Sequence, residues 1–189
     1  IQFCLLFFVL TFTTFGQSPL LTKYIDSYTK KQNFNGTILI QKNSKIAYQK
    51  NFGYANIPYK IPNKFETKYK IASITKAFTS VLILQLVEQE KIDLNKTIEK
   101  YLPNYTGEGL DKVTTHQLLN HTSGIANINS GYKGLDNAIK NGFPQFQLPH
   151  TSDEMLTEYC SGKLVNEPGK VFDYNNADYV ILGKIIEQI

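Results

Sequence analysis

Tyr69-Lys-Ile-Ala-Ser73-Ile-Thr-Lys76-Ala-Phe-Thr79 leads into an apolar run carrying Val81, Leu82, Leu84, Leu86 and Val87. The spacing predicts a helix from about Ser73 to Glu90 that is apolar over most of its circumference and is therefore expected to be buried. Within it Ser73 and Lys76 stand at i and i+3, so both side chains share one face. A serine in the first turn also lies in the positive end of the helix dipole, which favours a developing oxyanion. A lysine among apolar walls gives up its proton more readily and can serve as base. Ser-x-x-Lys is nonetheless a cheap pattern in a lysine-rich chain, and it recurs at Ser27 to Lys30 and at Ser130 to Lys133. The first copy falls on the polar face of a helix and the second in a Gly/Asn-rich stretch. Only Ser73 opens an apolar helix, after an extended, Pro-bounded approach. The pattern alone leaves it two roles, helix N-cap and nucleophile.

A second candidate is Tyr174-Asn175-Asn176, on a loop between Pro168-Gly169 and a final helical run from Asn176 to Ile189. A tyrosine beside a lysine can relay a proton, and an asparagine amide can hold a substrate amide and position the lysine. This motif also has a decoy, Tyr54-Ala-Asn56, at the end of a strand-like run. Other chemistries find less support. His116, His121 and His150 do not align on one helical face, so no metal site and no cofactor are expected. There is no Gly-x-Ser-x-Gly elbow, Gly-rich dinucleotide loop or Walker loop.

Outward from these motifs, Leu20 to Lys31 has amphipathic helical spacing. Residues 36–41 and 46–52 read as an antiparallel hairpin, too small to be a stable sheet alone. Shorter signals follow at Leu94 to Tyr101, ending at Pro103, and at Thr114 to Asn120, then a Gly/Asn-rich loop from Asn127 to Gly142 and a helix near Ser152 to Tyr159. The chain has 189 residues, 42% of them hydrophobic and 19% charged, which is a globular composition. Its formal charge is +4 from 20 Lys+Arg against 16 Asp+Glu. Every one of those cations is lysine, so no guanidinium is available for bidentate reading of phosphates or bases, and nucleic acid is not an expected partner. Residues 3–15 are uncharged and nearly all apolar or Thr, followed by Gly16, a secretory signal pattern. A membrane anchor is the alternative, although the stretch is short for a span of ~20 residues. The expected organisation is a signal segment over residues 1–16 whose start is truncated, with a hydrolase domain over 17–189, no stable membrane span after cleavage, and a secreted or periplasmic location. Cys4 would leave with the signal, and Cys160 reads as a small semi-buried residue.

Three segments in order resemble the serine β-lactamase and penicillin-binding protein family, in its class C β-lactamase and D-Ala-D-Ala carboxypeptidase-like branch. Tyr69 to Thr79 is similar to the nucleophile helix. Thr114-Thr-His-Gln-Leu118-Leu-Asn-His121-Thr-Ser-Gly124 is similar to the Leu-Leu-x-His-Thr-Ser-Gly stretch. Pro168 to Gly183 is similar to the Tyr-x-Asn segment with its helix, and its Tyr174 lies 101 residues beyond Ser73, as suits that branch. The resemblance implies an α+β, β-lactamase/transpeptidase-like fold, with the helical subdomain present and the antiparallel sheet incomplete. It implies Ser73 as acylated nucleophile, Lys76 as neighbouring base, Tyr174 as proton relay and Asn176 as holder of the substrate amide. His121 is expected to be structural.

The function expected from this likeness is hydrolysis of an amide or ester through an acyl-enzyme, the substrate being a small molecule or peptide: a β-lactam, a D-Ala peptide or an ester. The alternative is a non-catalytic domain that binds peptidoglycan or protein. The family's third motif, Lys-Thr-Gly or His-x-Gly, has no counterpart after Tyr174, since Lys140-Asn-Gly142 precedes it. The chain is accordingly expected to be the N-terminal part of a larger domain, inactive and poorly soluble by itself.

Overall fold

The computed structural model describes residues 18–129 and 134–189; the signal-like segment, Cys4 and the Ser130 to Lys133 decoy lie outside them. The chain divides into two compact units, residues 1–70 and 71–189.

In the first unit, helix α1 (Pro19–Lys31) starts with Pro at its first position, where no amide partner is lost. It buries Ile25 and Thr29. Strands β1 (Gly36–Lys42) and β2 (Lys45–Phe52) form the expected hairpin, with Ile40 opposite Tyr48 and a bulge after Ile40. Asn43 and Ser44 both take positive φ, as a two-residue turn matching strand twist requires. Tyr48 is fully buried, and its neighbour Lys50 lies 2.8 Å from Asp26 of α1. A second small hairpin pairs β3 (Tyr54–Asn56) with β4 (Ile61–Pro62). The Tyr54-Ala-Asn56 decoy is therefore a strand, with Asn56 accepting the Tyr59 amide at 3.0 Å.

The second unit is helical. A 3₁₀ turn, Ala72–Ile74, runs into α2 (Thr75–Glu88). Next come α3 (Ile98–Tyr101), α4 (Thr115–Leu119), α5 (Leu135–Asn141), α6 (Ser152–Glu154) with a π-helical turn at Met155–Tyr159, and α7 (Asn176–Gln188). Thr114 with Gln117, and Thr151 with Glu154, form capping boxes that fix where α4 and α6 begin. The core gathers Ile83, Ile98, Val113, Leu118, Ile125 and Leu156 around Ile181, Leu182 and Ile185 of α7. Cys160 is fully buried here, and burial pushes its thiol up to about 12, so it is inert at neutral pH.

Two expectations fail. Residues 127–142 were expected to be a loop, yet Leu135–Asn141 is a helix, bounded by Gly134 and Gly142 at positive φ. Gly134 and Gly142, which suggested a loop, mark its two ends instead. Helix α2 was expected to be buried, yet only Ile83 is; Phe78 is 62% exposed and Val81 54%. Apolar residues cover most of its circumference, but α7 is the helix it mainly packs against, and much of that apolar surface stays uncovered.

Candidate active site

Ser73 lies in the 3₁₀ turn that feeds α2. Ala72 before it has φ +45°, a left-handed conformation that costs an alanine about 1 kcal/mol or more. The Ser73 side chain makes no capping hydrogen bond at either the turn or α2. It instead receives hydrogen bonds from the Tyr174 hydroxyl at 2.8 Å and from Lys76 Nζ at 3.4 Å. Lys76 Nζ also donates to Asn176 Oδ1 at 2.6 Å and stands 4.8 Å from the centre of the Tyr174 ring. All four residues named from the sequence thus meet on unit 2, whereas Ser27 and Lys30 of the first decoy are exposed on α1. The nearby Lys76 and the Ser73 hydrogen bond hold the Tyr174 hydroxyl below the usual tyrosine range. The site opens into a groove of about 360 Å³ lined by Ser73, Lys76, Thr79, Asn176, Tyr179 and Val180. Among the described residues no three His, Cys, Asp or Glu side chains gather as a metal site.

The loop bearing Tyr174 is held by the turn after α4. His121 occupies a left-handed position, φ +58°, at which the Thr122 amide bonds back to Gln117 and the His121 amide to Leu118. This closes α4 as a Schellman motif, where glycine is the usual residue. Gly124 is also left-handed, and a Cβ there would stand 2.1 Å from the Asn166 carbonyl oxygen. Backbone from this turn then grips the following segment: the Gly169 and Asp173 amides donate to Thr122 and His121 carbonyls, each at 2.8 Å. Asn175 closes the clasp, its amide Nδ2 donating to the Ile125 carbonyl at 2.7 Å while its Oδ1 caps α7 at Ala177. His121 itself packs under Tyr174, ring centres 4.7 Å apart. It supports the site from below and does not reach Ser73.

Several contributors escaped sequence reasoning. Asn127 donates to the Tyr174 carbonyl at 2.9 Å. Tyr179 bridges Ser80 of α2, at 3.0 Å, and the Leu119 carbonyl at the end of α4, also at 3.0 Å. Asp178 is fully buried against His121 and Ser123. In sequence it looks like an ordinary first-turn helix acid; its position one step past Ala177, on the apolar face, was the available signal.

The family model described as beta-lactamase matches residues 21–189. The chain belongs to the beta-lactamase family. Among its relatives, Protein flp of Staphylococcus aureus strain N315 is 33% identical over 89% of this chain and 33% of its own length. Penicillin-binding protein 4* of Bacillus subtilis strain 168 is 32% identical over 89% of this chain and 35% of its own length. Among solved structures, FmtA from S. aureus superposes with TM-score 0.69 at 28% identity, over 92% of this chain and 45% of that one. The penicillin-binding protein from Bacillus halodurans does so with TM-score 0.70 at 30% identity, over 87% and 49%. EstCE1, a hydrolase with promiscuous acyltransferase activity, gives 0.72 at 25%, over 89% and 46%. The chain thus spans about a third of the curated relatives it matches and under half of these structures. Within that span its α+β architecture is the beta-lactamase/transpeptidase-like one.

Proposed function

We propose that this protein is a serine hydrolase that cleaves an amide or ester through an acyl-enzyme on Ser73. The observation that carries this reading is the convergence of Tyr174 and Lys76 on one serine oxygen from positions 101 and 3 residues away. A capping serine would have turned to its own helix instead.

The distances favour Tyr174 over Lys76 as the group that first takes the serine proton, because Lys76 is farther from the serine and already donates to Asn176. As phenolate, steadied by the Lys76 ammonium, Tyr174 accepts the Ser73 proton while the oxygen attacks the substrate carbonyl. It then returns that proton to the departing nitrogen or oxygen, leaving the acyl group on Ser73. In the second half Tyr174 takes a proton from water, the hydroxide attacks the acyl carbon, and the proton goes back to Ser73. Asn176 keeps Lys76 in place and offers its side-chain N–H groups to the substrate amide. Because Lys76 and Ser73 lower the Tyr174 hydroxyl, phenolate forms at lower pH than in a free tyrosine. The phenolate's contribution to the rate should therefore rise on the alkaline side and level off before the usual tyrosine range.

Relatives named for penicillin binding and for acyl transfer from a promiscuous hydrolase favour a general acyl-transfer site over a dedicated β-lactamase. The partner is a small molecule or peptide, not nucleic acid. The apolar segment at residues 3–15 supports export, with removal of residues 1–16 and a secreted or periplasmic location.

Time-resolved mass spectrometry of the intact protein with a penicillin and with an activated ester tests the reading. A covalent adduct on Ser73, absent in Ser73→Ala, is expected with at least one. No adduct with either would leave the non-catalytic binding domain as the better account.

A further inference from the structure

His121 Nδ1 has two neighbours: the Asn175 backbone N–H at 3.2 Å and Asp178 Oδ2 at 3.1 Å. The first is always a donor, so Nδ1 must present its lone pair to it. An ionised Asp178 would then set oxygen lone pairs against a nitrogen lone pair. A proton placed on Nδ1 would satisfy the carboxylate but point at the Asn175 N–H. The arrangement in which no like groups face each other has the proton on Asp178 Oδ2. The other carboxyl oxygen is committed as acceptor, since Ser123 Oγ receives the Ile125 amide at 3.1 Å and donates to Asp178 Oδ1 at 2.5 Å.

We propose that Asp178 is a positioning residue: its carboxyl carries a proton donated to His121 Nδ1, and this neutral pair holds the Asn175 amide that sets Tyr174 and Asn176 over Ser73. The effect on catalysis rests on the hydrolase reading above; the proton's place does not. The pair's distance would also suit an ion pair, but its surroundings oppose one. Asp178 is fully buried, and burial lifts its carboxyl to about 7. Among charged groups facing it, Asp173 from the loop before α7 adds to that rise, while the Ser123 hydrogen bond and Lys76 of α2 work against it. Burial, and then Lys76, hold His121 below its ordinary range. Behind the pair, Tyr105 and Cys160 are both raised by burial and stay neutral. The Tyr174 and Tyr179 rings flank the imidazole at 4.7 and 5.1 Å.

Ionising Asp178 removes the proton that reconciles the two contacts, so the clasp on Asn175 loosens as pH rises through about 7. Asparagine at 178 would place an N–H where the carboxyl proton was and an acceptor where Ser123 donates, with nothing to titrate. The test has two arms. Nitrogen-15 histidine spectra of the intact protein at about pH 6 should show His121 with bare Nδ1 and protonated Nε2. Then the rate of Ser73 acylation by an activated ester should be compared between Asp178→Asn and wild type. The variant-to-wild-type ratio should climb between about pH 5.5 and about pH 8, approaching about tenfold. A proton on Nδ1, or a flat ratio, would overturn the proposal. The spectra report on the proton whether or not Ser73 acylates, so a bare Nδ1 in a protein that forms no adduct would sink the hydrolase reading alone.

Discussion

Helices α2 and α7 each deliver half of the candidate site from their N-terminal ends, but they are held in opposite ways. Helix α7 buries Ala177, Asp178, Ile181, Leu182 and Ile185, and its entry loop is clasped by the turn at His121 to Gly124. Helix α2 buries Ile83 alone, and its Ser73 and Lys76 are steadied by side-chain hydrogen bonds to Tyr174 and Asn176. The geometry of the candidate site is thus anchored from the α7 side, and Ser73 is held by the groups that would activate it. Removing the Tyr174 hydroxyl should therefore do more than remove an acid or base. Tyr174→Phe is expected to lower the Ser73 acylation rate by ~10²–10⁴ with an unchanged melting point. A loss of only a few-fold would mean that Lys76 alone activates and holds the serine, and the contrast between the helices would lose its functional meaning.

The packing half of the contrast is tested by truncation. Leu182 of α7 is fully buried in the core with Ile181 and Ile185. Leu182→Ala should cost about 2–5 kcal/mol of unfolding free energy, from lost burial plus the cavity left behind. Denaturant unfolding of the chain measures it; a change under about 1 kcal/mol would show that α7 is not the anchor.

The same two helices show what a sequence can reveal. Helix α7 was legible because its apolar residues recur at helical spacing and polar ones fill the other side. Helix α2 was legible as a helix but not in its burial, because a run that is apolar all round gives no direction. Ser73, Lys76, Tyr174 and Asn176 were legible as motifs, and the structure brings them together. What made them a site was not legible: Ala72 and His121 take left-handed backbone states that their residue types do not favour, so their identities gave no signal. Asp178 was hidden because its partners, His121 and Ser123, lie 57 and 55 residues upstream. The β3–β4 hairpin was missed because β4 is two residues long and one of them is Pro62, which a strand accepts only at an edge.

The smallest expected effect is the one that most sharpens the difference between the helices. Phe78 is 62% exposed on α2, two residues past Lys76 and beside Val81 and Leu82. In the 189-residue chain it contributes little burial, so Phe78→Ser should change unfolding free energy by no more than about 0.5 kcal/mol. It should also raise solubility by breaking an apolar surface. A cost of about 3 kcal/mol would mean that this face is covered in solution. Helix α2 would then be anchored by packing as α7 is, and Ser73 would be positioned by a core of its own, with the bonds to Tyr174 and Asn176 adding chemistry but not location.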